Sequence, residues 1–120
     1  MVRDILDSND IRLLVDTMYD HILSDDLLGP VFSGIENVES HKEALCNYWR
    51  DVLLDEKYTA KDPLTKHEDL QLNAQHFTRR LTLFFETLDG LFAGPNCEKA
   101  KVIVIKKSEE FQNRLEIPRF

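Results

Sequence analysis

Apolar residues recur every three or four positions along most of the chain, which is the spacing of amphipathic helices. The first such segment begins near Ser8 or Asn9, and either residue is suited to cap a helix N-terminus. Its apolar face comprises Ile11, Val15, Met18, Tyr19 and Ile22, with Leu14 and Leu23 at its flanks. Its opposite face carries the aspartates Asp10, Asp16 and Asp20. We expect Gly29-Pro30 to end this helix, because glycine followed by proline terminates helices, and one short helical turn to follow at Val31 and Phe32.

A second helix is predicted from a capping box, in which Ser40 is followed three residues later by Glu43. An earlier start near Asn37 fits the pattern equally well. Its apolar side comprises His41, Leu45, Tyr48 and Val52, flanked by Trp49 and Leu53.

The second half of the chain predicts a loop and two more helices. Periodicity is lost over residues 55–66, which favours a solvated loop. A helix over residues 75–91 would bury Phe77, Leu81, Phe84, Phe85 and Leu88. After the break at Gly94-Pro95-Asn96, a helix over residues 97–115 would bury Ala100, Ile103, Val104, the stem of Lys107, Phe111 and Leu115.

The run from Val102 to Ile105 would widen that last apolar face, and by itself it also fits a strand. Helical spacing on both sides favours the helix. The predicted class is therefore all-α, with four main helices in a single domain over residues 1–120.

Composition narrows the classes of function. The chain has 120 residues, of which 42% are hydrophobic, enough for a core in one domain. Its net charge of −7 argues against nucleic acid or anionic membranes as partners, since both are bound by basic surfaces.

The cellular compartment is predicted from the absence of a signal peptide, a membrane helix and a cysteine pair in the sequence. Residues 1–8 carry acids where a signal peptide needs an apolar run, and no stretch approaches the roughly 20 apolar residues of a membrane helix. Cys46 and Cys97 form no C-x-x-C pair. We therefore expect a protein of the reducing cytoplasm, with no membrane span.

Three polar side chains are predicted to face the interior or to follow a loop. Tyr19 and His41 lie on the apolar faces of the first and second helices, and His67 ends the phrase Pro63-Leu64-Thr65-Lys66-His67. The spacings of zinc sites, such as H-E-x-x-H, are absent. A haem needs only one strong axial ligand from the protein, together with large apolar walls. Candidate wall residues are Phe32, Tyr48, Phe77, Phe84 and Phe85.

Two other interpretations fit parts of this pattern. A small helical interaction protein without a cofactor would explain the amphipathic helices and the charge. A non-haem metal site could use His67 with the adjacent Glu68 and Asp69, although their spacing matches no standard site.

At residues 9–115 the sequence resembles the truncated haemoglobins, and most closely their third group. The order and spacing of several short phrases carry the resemblance: Leu14-Val15-Asp16-Thr17-Met18-Tyr19, Leu28-Gly29-Pro30-Val31-Phe32, His41-Lys42, Asn47-Tyr48-Trp49, Pro63-Leu64-Thr65-Lys66-His67-Glu68-Asp69-Leu70, His76-Phe77 and Leu83-Phe84-Phe85. The resemblance implies a 2-on-2 helical sandwich around haem b (iron protoporphyrin IX).

The resemblance also implies roles for individual residues. His67 matches the proximal histidine, the protein ligand to iron. His41 and Tyr19 match the distal histidine and tyrosine beside the bound gas. Phe32 and Leu45 match residues packed against the porphyrin. The expected haem pocket comprises Phe32, His41, Leu45, Tyr48, Lys66, His67, His76, Phe77 and Leu81, and Lys66, His76 and Arg80 are candidate partners of the haem propionates.

One position departs from the family pattern. Leu81 stands where the family has a distal tryptophan, so one hydrogen-bond donor to bound ligand is missing.

The resemblance implies a diatomic gas ligand, oxygen or nitric oxide. Two kinds of function follow: an oxygen or nitric oxide carrier or sensor, and a nitric oxide dioxygenase or peroxidase-like enzyme. The enzyme would need an external reductase, because the chain has no flavin or nicotinamide domain.

Overall fold

The computed structural model describes residues 2–33, 37–54 and 74–114, without the side chains of Phe111 and Arg114. This part of the chain contains helices α1 (Ser8–Ser24), α2 (Gly29–Phe32), α3 (Val38–Leu54), α4 (Ala74–Leu91) and α5 (Pro95–Arg114). The all-α class predicted from the sequence is confirmed. The run from Val102 to Ile105 lies inside α5, so the strand alternative is wrong.

The four long helices form two pairs, α1 with α3 and α4 with α5. The pairs pack on each other mainly through α1 and α4, with a smaller contact between α3 and α5. This is the 2-on-2 sandwich. None of the described helices is both long enough and apolar enough to cross a membrane.

The N-terminus of α1 differs from the prediction. Asp7 caps the helix, rather than Ser8 or Asn9, because its carboxylate accepts a hydrogen bond from the Asp10 backbone nitrogen at 3.0 Å. Asp10 completes the capping box and pairs with Arg3 at 2.8 Å. Asp10 is therefore buried, at 7% exposure, and not on the solvated face where the periodicity placed it.

The end of α1 was also predicted too late. The helix ends at Ser24, and Gly29-Pro30 begins α2 instead of terminating α1. A Cβ atom at Gly29 would lie 2.7 Å from the Leu23 carbonyl oxygen, so this glycine permits a close approach of α2 to the end of α1. The short turn predicted at Val31 and Phe32 is confirmed.

The start of α3 follows the earlier of the two predicted positions. The helix begins at Val38, and the Asn37 side-chain oxygen accepts a hydrogen bond from the Ser40 backbone nitrogen at 3.2 Å. Ser40 therefore lies inside the helix, and its pairing with Glu43 does not mark the helix start.

The predicted apolar faces are mostly, but not completely, buried. Three residues assigned to them are exposed, namely Leu23 at 42%, Val102 at 52% and Ile105 at 39%. The predicted loop at residues 55–66 and Leu115 lie outside the described residues.

The N-terminal segment is bound to the start of α5 by Asp4. Its two carboxylate oxygens accept hydrogen bonds from the backbone nitrogens of Asn96 and Cys97, at 2.9 and 2.8 Å. Gly94 has a φ of 141°, and a Cβ atom there would lie 2.6 Å from the Asp4 carboxyl carbon. A glycine before α5 thus lets an aspartate far away in sequence cap the helix.

We expect Asp4→Ala to lower the free energy of unfolding by about 1–3 kcal/mol, since it removes two charged hydrogen bonds at a helix N-terminus. Urea unfolding measures this difference, and Asp20→Ala, at an exposed position on α1, is the control. Equal stabilities for the two variants would contradict a capping role for Asp4.

Candidate functional site

A cleft between the two helix pairs contains most of the predicted pocket residues. Together with the open space at its mouth it measures about 900 Å³, and it is lined by residues of α1, α2, α3, α4 and α5. Nine residues predicted from the sequence lie on its wall: Tyr19, Phe32, His41, Leu45, Tyr48, Phe77, Arg80, Leu81 and Phe84. The structure thus brings together side chains from widely separated parts of the chain.

Tyr19 is the most deeply buried polar group that α1 contributes to the cleft. The residue is 3% exposed, and its hydroxyl makes no hydrogen bond to any described residue. Burial raises the pKa of Tyr19 to about 12, although the positive charge of Arg80 acts in the opposite direction. The phenol therefore stays protonated at neutral pH and retains an O–H that it can donate.

His41 lies beside Tyr19 on the facing helix α3. It is 2% exposed, and the two ring centroids are 5.7 Å apart in an edge-to-face arrangement. Lys42 places its Nζ 5.4 Å from the centroid of the Tyr19 ring and pairs with Asp16 at 3.2 Å. The tyrosine ring is thus held from two sides, and its hydroxyl remains available to a ligand in the cleft.

The charged residues of the cleft wall are all basic. Arg80 of α4 and Lys107 of α5 line it, and none of the described lining residues is an aspartate or glutamate. Lys107 pairs with Glu110 at 3.1 Å and lies 5.7 Å from the centroid of the Tyr48 ring. A cationic cleft in a chain with a net charge of −7 favours a ligand that carries negative charge.

Aromatic side chains dominate the apolar wall. Trp49 and Phe84 pack with ring centroids 5.5 Å apart, and Trp49 meets Tyr48 edge to face at 5.4 Å. Periodicity places Trp49 only on the flank of its helix, yet Trp49 is 6% exposed and lines the cleft. The sequence predicts Arg80 only as a partner of the haem propionates. A charged side chain is not expected in an apolar wall, so nothing in the sequence indicated that Arg80 would line the cleft.

Two predicted residues that the structure describes, His76 and Phe85, do not line this cleft. His76 borders a smaller depression of about 170 Å³, which shares Phe32, Phe77 and Arg80 with the cleft. Lys66 and His67 lie outside the described residues, as do Glu68 and Asp69 of the alternative metal site.

Other metal-binding or nucleophilic groups in the described chain are poor candidates for a site. Cys46 and Cys97 are free and buried, and burial raises the pKa of both thiols, which keeps them protonated. Asp89, Cys97 and Glu98 lie close together, but Lys101 already pairs with Asp89 at 2.6 Å and with Glu98 at 2.9 Å. Among the described residues the cleft is therefore the best candidate for a ligand site.

Comparison with known proteins shows what the chain is similar to. No protein-family model matches the chain. The chain is 29% identical over 120 residues to the group 3 truncated haemoglobin ctb of Campylobacter jejuni, covering 92% of this chain and 91% of that protein. Its structure is similar to the crystal structure of a group III truncated haemoglobin from Campylobacter jejuni, with a TM-score of 0.82 and 27% identity over 96% of this chain and 95% of that one.

Likeness in sequence and in fold thus extends over nearly the whole length of both chains, as the short phrases of the sequence indicated. In sequence and in fold the chain is therefore similar to the truncated haemoglobins, and specifically to their group III.

Proposed function

We propose that this chain holds haem b in the cleft between its helix pairs and binds a diatomic ligand, oxygen or nitric oxide, at the iron. One observation carries the proposal: the Tyr19 hydroxyl is buried in the cleft with no hydrogen-bond partner among the described residues. A buried hydroxyl without a partner costs stability, about 1–3 kcal/mol, so it is best explained by a ligand that accepts its hydrogen bond. The truncated haemoglobin relatives support a globin-type haem protein.

The wall chemistry fits a porphyrin. The macrocycle is flat and apolar and suits the aromatic wall that Trp49, Phe77 and Phe84 provide. Its two carboxylates suit a cleft whose charged groups are basic. When bound, the haem supplies an iron atom at which a diatomic molecule is held.

The residues divide into those that would hold the haem and those that would face its ligand. We assign His67 as the iron ligand on the resemblance of its phrase. Phe32 and Leu45 provide packing against the porphyrin, and Tyr19 donates its O–H to the bound ligand. His41, edge to face with Tyr19, either donates as well or gates entry. Lys66, His76 and Arg80 are the candidate partners of the propionates.

Haem titration into the purified chain tests the proposal. We expect a Soret band that saturates at one haem per chain, accompanied by loss of Trp49 fluorescence. Trp49 is the only tryptophan and lines the cleft, so energy transfer to a haem held there quenches its emission.

Iron-free protoporphyrin is the matched control ligand, because it has the same ring and carboxylates as haem but no metal that could bond to a side chain. A chain that gives no saturable Soret band would overturn the proposal in favour of a cofactor-free helical protein. A Soret band with unchanged Trp49 emission would place the haem elsewhere.

Turnover separates the two classes of function. Steady consumption of nitric oxide or peroxide with an electron donor would identify an enzyme served by an external reductase. Slow ligand release without turnover would identify a carrier or sensor.

Two free buried cysteines support the reducing cytoplasm as the location that we propose.

A further inference from the structure

Arg80 is unusual among the basic residues of the chain. It belongs to α4 and lines the cleft, its guanidinium carbon lies 5.9 Å from the centroid of the Phe32 ring, and its Nε is buried. That Nε makes no hydrogen bond to any described residue. Among the described residues Arg80 also has no ion pair, whereas its neighbour Arg79 points outward and pairs with Asp25 at 2.7 Å.

The energetics of this position are unfavourable without a ligand. A buried charge is tolerated in proteins when it is paired, and burial here lowers the pKa of Arg80, because the charged form is poorly solvated. Stacking on Phe32 offsets only part of that cost. The guanidinium therefore has donors that remain available to an anion entering the cleft.

The position of Arg80 indicates where such an anion would lie. Arg80 and the Tyr19 hydroxyl interact electrostatically across the same cleft, and each carries a buried polar atom without a partner among the described residues. Leu81, the next residue on α4, lines the cleft and has no donor of its own. The phenol and the guanidinium together form a pair of donors aimed at one space.

We propose that Arg80 strengthens the binding of small anions, of the class of azide and nitrite, at the ligand site, and that it contributes little to the binding of an uncharged ligand such as carbon monoxide. This inference rests on the proposed function, because it places the anion at the iron on the Tyr19 side of the haem. An arginine donor bound to an anion gains a charge-assisted hydrogen bond, and a neutral ligand such as carbon monoxide gains little from it. The other source of negative charge is a haem propionate, and the experiment separates the two.

The test uses the haem-loaded full chain and three variants. Arg80→Met keeps the length of the stem over Phe32 and removes the charge, Arg80→Gln keeps a polar amide, and Lys99→Met removes an exposed charge of α5 as the control. Azide and nitrite affinities are measured on the ferric protein and carbon monoxide affinity on the ferrous protein. Haem transfer to an excess of apomyoglobin is followed separately.

We expect Arg80→Met and Arg80→Gln to weaken azide and nitrite binding at least tenfold and to change carbon monoxide binding less than twofold. Lys99→Met should leave all these affinities within twofold. Equal changes for azide and carbon monoxide, or no change in either, would overturn the inference. Faster haem transfer with an unaltered azide to carbon monoxide ratio would also overturn it, and would assign Arg80 to a propionate.

The two proposals fail in different ways. Absence of a Soret band in the unsubstituted chain would remove the proposed function and this inference with it. A normal Soret band with anion affinities indifferent to residue 80 would remove the inference alone. Arg80→Gln keeps the test decisive if Arg80→Met does not fold, because it retains a polar amide at a half-buried position.

Discussion

His67→Ala is expected to abolish normal haem retention. A porphyrin iron depends on the protein for its axial bond, and we have assigned that bond to His67. Bound haem stabilises only the folded chain, so haem at 1,000 times its dissociation constant adds about 4 kcal/mol to the free energy of unfolding. The variant should therefore show a weak or shifted Soret band, fast haem loss to apomyoglobin, and the thermal midpoint of the haem-free chain.

The matched control is His21→Ala. His21 is exposed on α1 and does not line the cleft, and its Nδ1 lies 2.8 Å from the Thr87 hydroxyl oxygen. This control should keep its Soret band. Millimolar imidazole should restore the band to His67→Ala, because it can occupy the space that the side chain leaves. An unchanged Soret spectrum and haem transfer rate in His67→Ala would refute His67 as the iron ligand.

The helical framework was predictable because its cause is local. Apolar residues at helical spacing predicted α4 to within one residue of its start, and Asn37 was a predicted start of α3. Errors arose where distant groups decide the outcome. Asp10 is buried by its bonds to Asp7 and Arg3, and Gly29 allows close packing on α1 instead of ending it. Periodicity also cannot tell how wide an apolar face will be, so Val102 was assigned to the core and is exposed.

The composition of the cleft was predictable in part. Tyr19 and His41 stood out because each is a polar side chain at an apolar helical position, and both are buried in the cleft wall. The inward position of Arg80 had no such signal, since a charged residue on a helix is normally solvated. Only tertiary packing shows that Arg79 takes the outward position with Asp25 and that Arg80 faces Phe32.

Tyr19→Phe is expected to speed dissociation of bound oxygen about tenfold or more. The substitution removes only the hydroxyl and keeps the ring that packs against His41 and beneath Lys42. A hydrogen bond to a partly negative ligand contributes about 1.5–3 kcal/mol, and 1.4 kcal/mol already corresponds to tenfold in an equilibrium. Because the pKa of Tyr19 is about 12, the phenol stays protonated, and the effect should be constant from pH 6 to pH 9.

The same substitution separates a role in ligand binding from a role in stability. Since the Tyr19 hydroxyl has no hydrogen-bond partner among the described residues, removing it should leave the haem-free chain as stable or more stable. Thr87→Val is the matched control, because it deletes a buried hydroxyl outside the cleft that donates to the Leu83 carbonyl oxygen at 2.7 Å. That variant should lose about 1 kcal/mol of stability with an unchanged oxygen off-rate. A Tyr19→Phe protein with normal oxygen release and lowered stability would show that the hydroxyl serves the fold and not the ligand.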